Sequence, residues 1–528
     1  MSRELTAQLF AALEEGSEQI AYDFEGQTLT WAELDARARS YANAMAHAGV
    51  SRGDRVAVYA HTCLEQIVCL FGNYYLGAVH VPINTRYRAL EVSHILADCL
   101  PTAVVGDAAG AEVLESALAR PEFERAPVRV AIDEGAPGFA FAELLAGEPG
   151  EYLRPRDEDL ALLIYTSGTT GPSKGVMLTH QAVIANIRAL TGLWTWSKRD
   201  RLALALPLFH VHGLCIGVHG AALHAMTVLL ERRFDAGAIV ERFADQPRGN
   251  ATIFMGVPTM YTALVEHMHQ APEAAPQLSR GRLFTSGSAA LSADLWREFV
   301  ALTDRRILER YGMSETLITL SNPYVGVRTP GAVGQPVPGC DAAVVDEQGD
   351  ELPHGEPGEL IVLSNGIMSG YWNRSPEQLA ELFLRDRDGR LWFKTGDVAT
   401  VDDEGVFRIV GRASVDIIKS GGFKISAREI EEVLATHPTV REVAVIGVAD
   451  PKWGERIVAC LVPEPSAAAE LEPAALLEAL VAHHRDHLAD YKKPRALLIV
   501  DELPRNALGK LQKHKLRERV AEQGVSVG

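Results

Sequence analysis

Short apolar, β-branched runs alternate with amphipathic helical patterns through most of the chain, and this alternation limits the fold more than any other feature. Residues 55–60, 160–165, 201–206, 252–255, 282–285 and 306–309 read as strands, and residues 179–190 and 293–302 as helices between them. Alternation of this kind indicates parallel strands, because a helical crossover is long enough to return the chain to the same end of a sheet. The expectation is a parallel or mixed sheet with helices packed on its faces. From about Gly331 the character changes to shorter strands and tighter turns. Residues 358–364 and 391–412 are strand-rich, the latter reading as two strands joined by a turn at Asp402, Asp403, Glu404 and Gly405. Past Arg412 a third pattern begins. Ser426-Ala427-Arg428-Glu429 is a capping box opening a helix that runs to about His437. Two strands, a helix around residues 473–488, a strand at 495–500 and a basic tail complete an α+β unit of about 110 residues, a usual domain size.

Composition narrows the function classes. The 528 residues are 47% apolar and 23% charged, which excludes a disordered or collagen-like chain. Lys and Arg total 51 against 69 Asp and Glu, a net charge of −18. A balance this acidic argues against a nucleic-acid or membrane-surface binder, which needs a cationic footprint. The cysteines Cys63, Cys69, Cys99, Cys215, Cys340 and Cys460 form no CxxC pair and read as buried thiols in a reducing compartment. The first residues are acidic and amphipathic, unlike a signal or transit peptide. The most apolar stretch, residues 202–230, is broken by Pro207, His210, His212, His219 and His224, so it suits a buried strand and helix rather than a membrane span. A cytoplasmic protein is expected.

The strongest chemical signal follows the strand at 160–165: Thr166-Ser167-Gly168-Thr169-Thr170-Gly171-Pro172-Ser173-Lys174-Gly175. Glycines admit an anion to the backbone, hydroxyls donate to phosphate oxygens, and Lys174 adds a mobile positive charge. The Walker pattern is absent, which disfavours a P-loop kinase. His210 and His212 would face one side of a strand, raising zinc as an alternative, but no third ligand follows at suitable spacing. A pocket-lining or satisfied histidine is the preferred reading, with His212 structural.

The loop resembles the phosphate loop of the acyl- and aryl-adenylating superfamily, which includes acyl-CoA synthetases, peptide-synthetase adenylation domains and beetle luciferases. Residues 206–213, LPLFHVHG, resemble the segment whose histidine, here His210, borders the acyl site. Residues 310–316, RYGMSET, resemble the adenine- and metal-binding segment; 393–397, FKTGD, with Gly411-Arg412, the ribose-binding pair; and 504–510, PRNALGK, the catalytic-lysine motif. The matches span nearly the whole chain, in order.

The resemblance implies an α/β fold: a large N-terminal domain (1–411) of mixed sheets covered by helices with a β-barrel-like part, then a small mobile α+β domain (412–528). It also implies the reaction, in which a carboxylate attacks the α-phosphorus of ATP, pyrophosphate leaves, and a thiol then displaces AMP. Thr166, Ser167, Gly168, Thr169, Thr170, Gly171 and Lys174 would hold the β- and γ-phosphates. Glu315, with Thr166, would coordinate Mg2+, and Thr316 would touch the α-phosphate. Ser288, Ala289, Glu309, Tyr311, Gly312 and Met313 would border the nucleotide. Asp397 suits the ribose hydroxyls because a carboxylate accepts two hydrogen bonds, with Arg412 beside it. Lys510 would bridge α-phosphate and acyl carboxylate. After a domain rotation, Lys419, Gly421, Gly422 and Lys424 would face coenzyme A. The hinge, often Asp or Lys in relatives, falls here on Ser414 or Val415.

Arg310 stands where most fatty-acyl members have a small or apolar residue, and a guanidinium in an acyl tunnel is costly unless a second anion meets it. Ser286 and Ser288 add hydroxyls to the same wall, the latter where many relatives carry glycine. These departures, with residues 255–261, 309–334 and 411–426, are similar to malonyl-CoA synthetases. The expected substrates are ATP, CoA and a small, dicarboxylic acid, with malonate first and methylmalonate or a short- or medium-chain fatty acid as alternatives. A stand-alone enzyme loading a carrier-protein thiol and a non-catalytic nucleotide binder are further alternatives. No nucleic acid and no membrane span are expected, and a homodimer is left open.

Overall fold

The strand–helix alternation builds two sheets, not one. The structure is a computed structural model and describes residues 5–119, 126–150, 154–166, 173–246, 249–412, 416–420, 423–450, 453–465, 472–485, 487–488, 490–506, 511–523 and 526–527. Strands Ile307–Met313, Leu283–Ser286, Ile253–Gly256, Arg201–Leu204, Thr227–Leu230 and Ile20–Phe24 lie side by side and parallel. Antiparallel Gln27–Thr30 borders one edge, and Leu317–Ser321 with Gln335–Pro336 the other, giving nine strands among the described residues. The second sheet orders Leu160–Thr166, Val79–Pro82, Arg55–Tyr59, Ala103–Gly106, Val128–Ala131 and Phe139–Ala140 in parallel. Antiparallel Lys174–Thr179 and Gly370–Tyr371 extend it beyond Leu160–Thr166 to eight strands among the described residues. Central strands such as Ile253–Gly256 and Val79–Pro82 are buried at every position. Strands covered on both faces lose polar alternation, which is why they read as continuous apolar runs.

Aromatic packing anchors the helices to the first sheet. Phe284 stacks on Phe243 with centroids 5.4 Å apart and meets Phe299 edge-on at 5.2 Å, while Tyr261 meets Phe299 at 5.4 Å. These rings join helices Ala236–Phe243, Pro258–Gln270 and Ala293–Thr303 to Ala203, Phe254 and Ile307 of the strands. The Tyr261 hydroxyl donates to the Thr285 carbonyl at 2.8 Å, so its polar end is satisfied inside the core.

The chain divides into two compact units. The first comprises residues 1–330, 334–341 and 363–383, and the second 331–333, 342–362 and 384–528. Gly411 and Arg412 end the strand Phe407–Arg412, inside the second unit. Most of a sheet of five strands among the described residues lies in that unit, built from Asp341–Val345, Gly358–Leu363, Phe383–Arg385, Leu391–Val401 and Phe407–Arg412. The expected turn joins the last two: the Asp402 carboxylate accepts from the Glu404 and Val406 amides, and Gly405 takes φ +74°.

The unit's other sheet has six strands among the described residues, centred on the antiparallel pair Val440–Asp450 and Gly454–Pro463. Period-two alternation divides its residues. Val445, Ile457, Ala459 and Leu461 pack under helices Ala427–Leu434 and Pro473–Arg485. Ala444, Ile446, Val458 and Cys460 pack under helix Lys513–Gln523. The helix expected to reach His437 ends at Leu434, and its capping box is half formed. Ser426 accepts from the Glu429 amide, but the Glu429 carboxylate turns to Lys492 Nζ at 2.6 Å instead of the cap backbone. No helix among the described residues is long and apolar enough to cross a membrane.

Candidate active site

The parallel strands of the first sheet end at one rim, the usual place for a ligand in an open α/β sheet. Ser286 closes Leu283–Ser286 and pairs in register with Glu309 of the next strand, so Arg310 follows one residue further on. Arg310 does not reach a surface acid. It is 4% exposed, and its Nε and Nη2 have no hydrogen-bond partner among the described residues. A Cβ added at Gly287 would stand 2.5 Å from Arg310 Cζ, so only glycine leaves room for the guanidinium against the backbone there. Burial pushes the Arg310 pKa down to about 9, which still leaves it charged near neutrality. The Ser286 hydroxyl is buried and also has no partner among the described residues.

His210 and His212 are not on a strand. The chain leaves Arg201–Leu204, turns, and enters a π-helix at His212–His219, so the two rings are not placed by strand alternation. Burial pushes His210 down to about 4. His212 is held well below its ordinary range by burial, then by the charges of Arg310 and His210. Its Nδ1 lies 3.3 Å from the Ser288 hydroxyl, while the Nε2 atoms of both histidines are buried without a partner among the described residues. Ser288 and Ala289 are exposed on the loop after Ser286, and Ser288 takes φ +68°. No group of three or more His, Cys, Asp or Glu among the described residues is placed to hold a metal ion.

Ser167, Gly168, Thr169, Thr170 and Gly171 lie outside the described residues, but both ends of their loop are fixed. Thr166 and Lys174 face each other as a pair in adjacent antiparallel strands. Lys174 Nζ lies 5.3 Å from the centre of the Tyr371 ring, and the Tyr371 hydroxyl donates to the Glu315 carboxylate at 2.8 Å. The Glu315 carbonyl also accepts from the Met368 amide at 2.8 Å. Thr316 is buried, its Oγ1 without a partner among the described residues and its carbonyl bonded to the Ser364 hydroxyl at 2.7 Å. The Glu309 carbonyl takes two bonds from Asn322, at 3.1 Å from the amide and 3.0 Å from Nδ2. Tyr311, Gly312 and Met313 continue the same strand into a hairpin. There a Cβ on Gly312 would stand 2.0 Å from the Leu317 carbonyl oxygen, so only glycine fits. Tyr371 and Ser364 escape sequence reasoning, since a two-residue strand and an isolated serine leave no periodic signal.

In the second unit, Asp397 and Arg412 are cross-strand partners, and the buried Asp397 donates its amide to Thr395 Oγ1 at 3.0 Å. Lys419 and Lys424 pair across adjacent strands. Gly421, Gly422, Ser414, Val415 and Lys510 lie outside the described residues. Lys513, which the sequence does not single out, is buried between Asp416 at 2.6 Å and Glu431 at 2.7 Å. Burial opposes its charge, but Glu431 and Asp416 prevail and raise its pKa.

Comparison with known proteins accords with this arrangement. The AMP-binding enzyme family matches residues 9–372, and the AMP-binding enzyme C-terminal domain matches 429–510. The chain is 34% identical to a malonate–CoA ligase of Arabidopsis thaliana, over 90% of this chain and 79% of that protein. It is 36% identical to a feruloyl-CoA synthase of Amycolatopsis, over 94% of each. The crystal structure of ATP-bound MatB from Rhodopseudomonas palustris superposes with a TM-score of 0.87 at 35% identity, covering 97% of this chain and 99% of that one. With a family match across most of its length and relatives of this similarity, the chain belongs to the AMP-binding enzymes.

Proposed function

We propose that the protein is an ATP-dependent malonate–CoA ligase, forming malonyl-CoA, AMP and pyrophosphate through a malonyl-adenylate. One observation carries the choice of acid: the buried Arg310 guanidinium, whose Nε and Nη2 have no partner among the described residues. Identity alone does not choose, because the feruloyl-CoA synthase is as similar as the malonate–CoA ligase. A monocarboxylate spends its only charge at the reacting phosphorus and leaves Arg310 buried and unpaired. A short dicarboxylate reacts at one end and neutralises Arg310 at the other.

In the first half-reaction a malonate carboxylate oxygen bonds to the α-phosphorus and the bond to the pyrophosphate oxygen breaks. Thr166, Lys174 and the loop between them hold the β- and γ-phosphates. Thr316 meets the α-phosphate and Lys510 bridges it to the carboxylate, so that cationic and hydroxyl donors offset the meeting of two anions. Glu315, oriented by Tyr371, fits a magnesium ion that arrives on nucleotide phosphates, which needs only one or two protein carboxylates. That ion would supply charge neutralisation. Asp397 accepts from the ribose hydroxyls with Arg412 beside it, while Glu309, Tyr311, Gly312, Met313 and Ala289 border the nucleotide. His210, neutral, lines the acyl side. In the second half-reaction the thiol sulfur of CoA attacks the acyl carbon and AMP leaves with the mixed-anhydride oxygen.

We assign the second step to a rotation of residues 412–528 about Ser414 or Val415, bringing the Lys419–Lys424 turn to the thiol. The six free cysteines support a reducing compartment such as the cytoplasm. AMP formation measured with malonate, methylmalonate, succinate, acetate, butyrate, octanoate and benzoate tests the reading. Malonate is expected to dominate, and activity confined to monoacids would overturn the assignment of Arg310.

A further inference from the structure

Ser288 is held in the left-handed region at φ +68°, where a side chain is disfavoured and glycine is at ease. A residue kept in such a conformation beside buried, unpartnered donors points to a use for its side chain. The only described hydrogen bond of its hydroxyl is to Nδ1 of His212 at 3.3 Å. His212 is 4% exposed, and its other nitrogen, Nε2, is buried without a partner among the described residues. Arg310 lies close enough for its charge to act on the ring, and its Nε and Nη2 are unpartnered in the same way.

We infer that His212 is a specificity-determining residue of the acid site, donating its Nε2–H to the carboxylate that does not react, and that Ser288 is the positioning residue that fixes this tautomer. The inference rests on the reading of the site as one for a dicarboxylic acid. A buried ring beside a guanidinium stays neutral, so it carries one N–H and one lone pair. The Ser288 hydroxyl has a proton to give. When it donates to Nδ1, the ring hydrogen is on Nε2, and a buried donor of that kind calls for an acceptor. The distal carboxylate offers its oxygens to Arg310 and His212 together. The alkyl end of a monoacid would leave both donors unpaired, and sites built from buried donors discriminate strongly against a ligand that lacks the acceptor. A space-filling histidine would need neither an unpaired Nε2 nor a serine strained to reach Nδ1.

The experiment compares wild type with His212→Leu, His212→Gln and Ser288→Gly, measuring kcat and KM for malonate, propionate and ATP, together with the thermal midpoint. Loss of one hydrogen bond to a charged group in His212→Leu is expected to raise the malonate KM roughly ten- to a hundredfold. The ATP KM should hold and the preference over propionate should fall in proportion. His212→Gln, which keeps an N–H at similar reach, should recover part of that loss. Ser288→Gly relieves the strained φ, so it should fold at least as well as wild type. It should still raise the malonate KM by about threefold or more through loss of the tautomer lock. A purely structural pair predicts the opposite for Ser288→Gly, a higher midpoint with an unchanged malonate KM. Malonate KM values within twofold of wild type in both Ser288→Gly and His212→Leu would overturn the inference while leaving the ligase intact. A wild type that takes propionate but not malonate would overturn the reading and the inference together.

Discussion

The hydroxyl of Tyr371 donates to the carboxylate of Glu315 at 2.8 Å, while Lys174 lies over the same ring. A residue from a two-residue strand thus ties the end of the proposed phosphate loop to the proposed magnesium carboxylate. Tyr371→Phe removes one charge-assisted bond, worth about 1.5–3 kcal/mol. The magnesium concentration needed for half-maximal AMP formation should rise, with little change in the malonate KM. Glu315→Gln should cost on the order of a hundredfold or more in adenylation, measured as malonate-dependent pyrophosphate exchange.

Arg310, as the proposed partner of the second carboxylate, should set an upper limit to the pH range for the acid. Its pKa, pushed down to about 9 by burial, means that the free enzyme loses the guanidinium charge as pH rises through that value. The malonate KM should be flat below it and climb about tenfold per pH unit well above it, while the ATP KM does not follow. Initial rates across neutral to alkaline pH check this, and Arg310→Ala should flatten the profile at a KM already raised by about 2–5 kcal/mol of lost binding.

Buried histidines should govern acid stability. Burial holds His80 and His180 down to about 3, His210 and His219 to about 4, and His212 well below its ordinary range. In the unfolded chain each takes up a proton near pH 6.5, so the unfolded state binds more protons and stability falls as pH drops below that value. Each contributes up to about 1.4 kcal/mol per pH unit until its folded pKa is reached. Urea unfolding at a series of mildly acidic pH values should show this slope, and His80→Gln should reduce it by up to about one proton.

Gly287→Ala should act on the acid and not on the nucleotide. The new Cβ would meet Arg310 Cζ at 2.5 Å and displace the guanidinium. A displacement of that size should lower kcat/KM for malonate on the order of a hundredfold, with the ATP KM held.

Phe284→Ala should leave the site chemistry in place and weaken its support. Phe284 joins Phe243 and Phe299 in the core beneath the strand that ends at Ser286. Its loss should cost about 3–5 kcal/mol, read as a fall in thermal midpoint with kinetics preserved below the transition.

Local reading succeeded where the physics is local. Residues 252–255 and 282–285 were legible as buried strands because both faces are covered, and the turn at Asp402 because its carboxylate bonds amides two and four residues ahead. The helix start at Ser426 was legible for the same reason, and its capping box was only half formed because Lys492, sixty-three residues away, competes for Glu429. The π-helix at His212–His219 was not foreseen, since an apolar run of that length fits a strand or either kind of helix.

The amino-acid sequence by itself determined the class of fold, the order of the motifs and the anomaly of a charged residue at position 310. These depend on residue type, spacing and chain connectivity. Only the tertiary structure decided that the alternating strands divide between two sheets, that Arg310 turns inward over Gly287, and that Tyr371 reaches Glu315 across fifty-six residues. It also decided that Ser288 meets His212, which the sequence left as structural. Sheet membership and side-chain direction follow from which surfaces can be buried together, and that is settled by packing between segments distant in the chain, where local propensity carries no information.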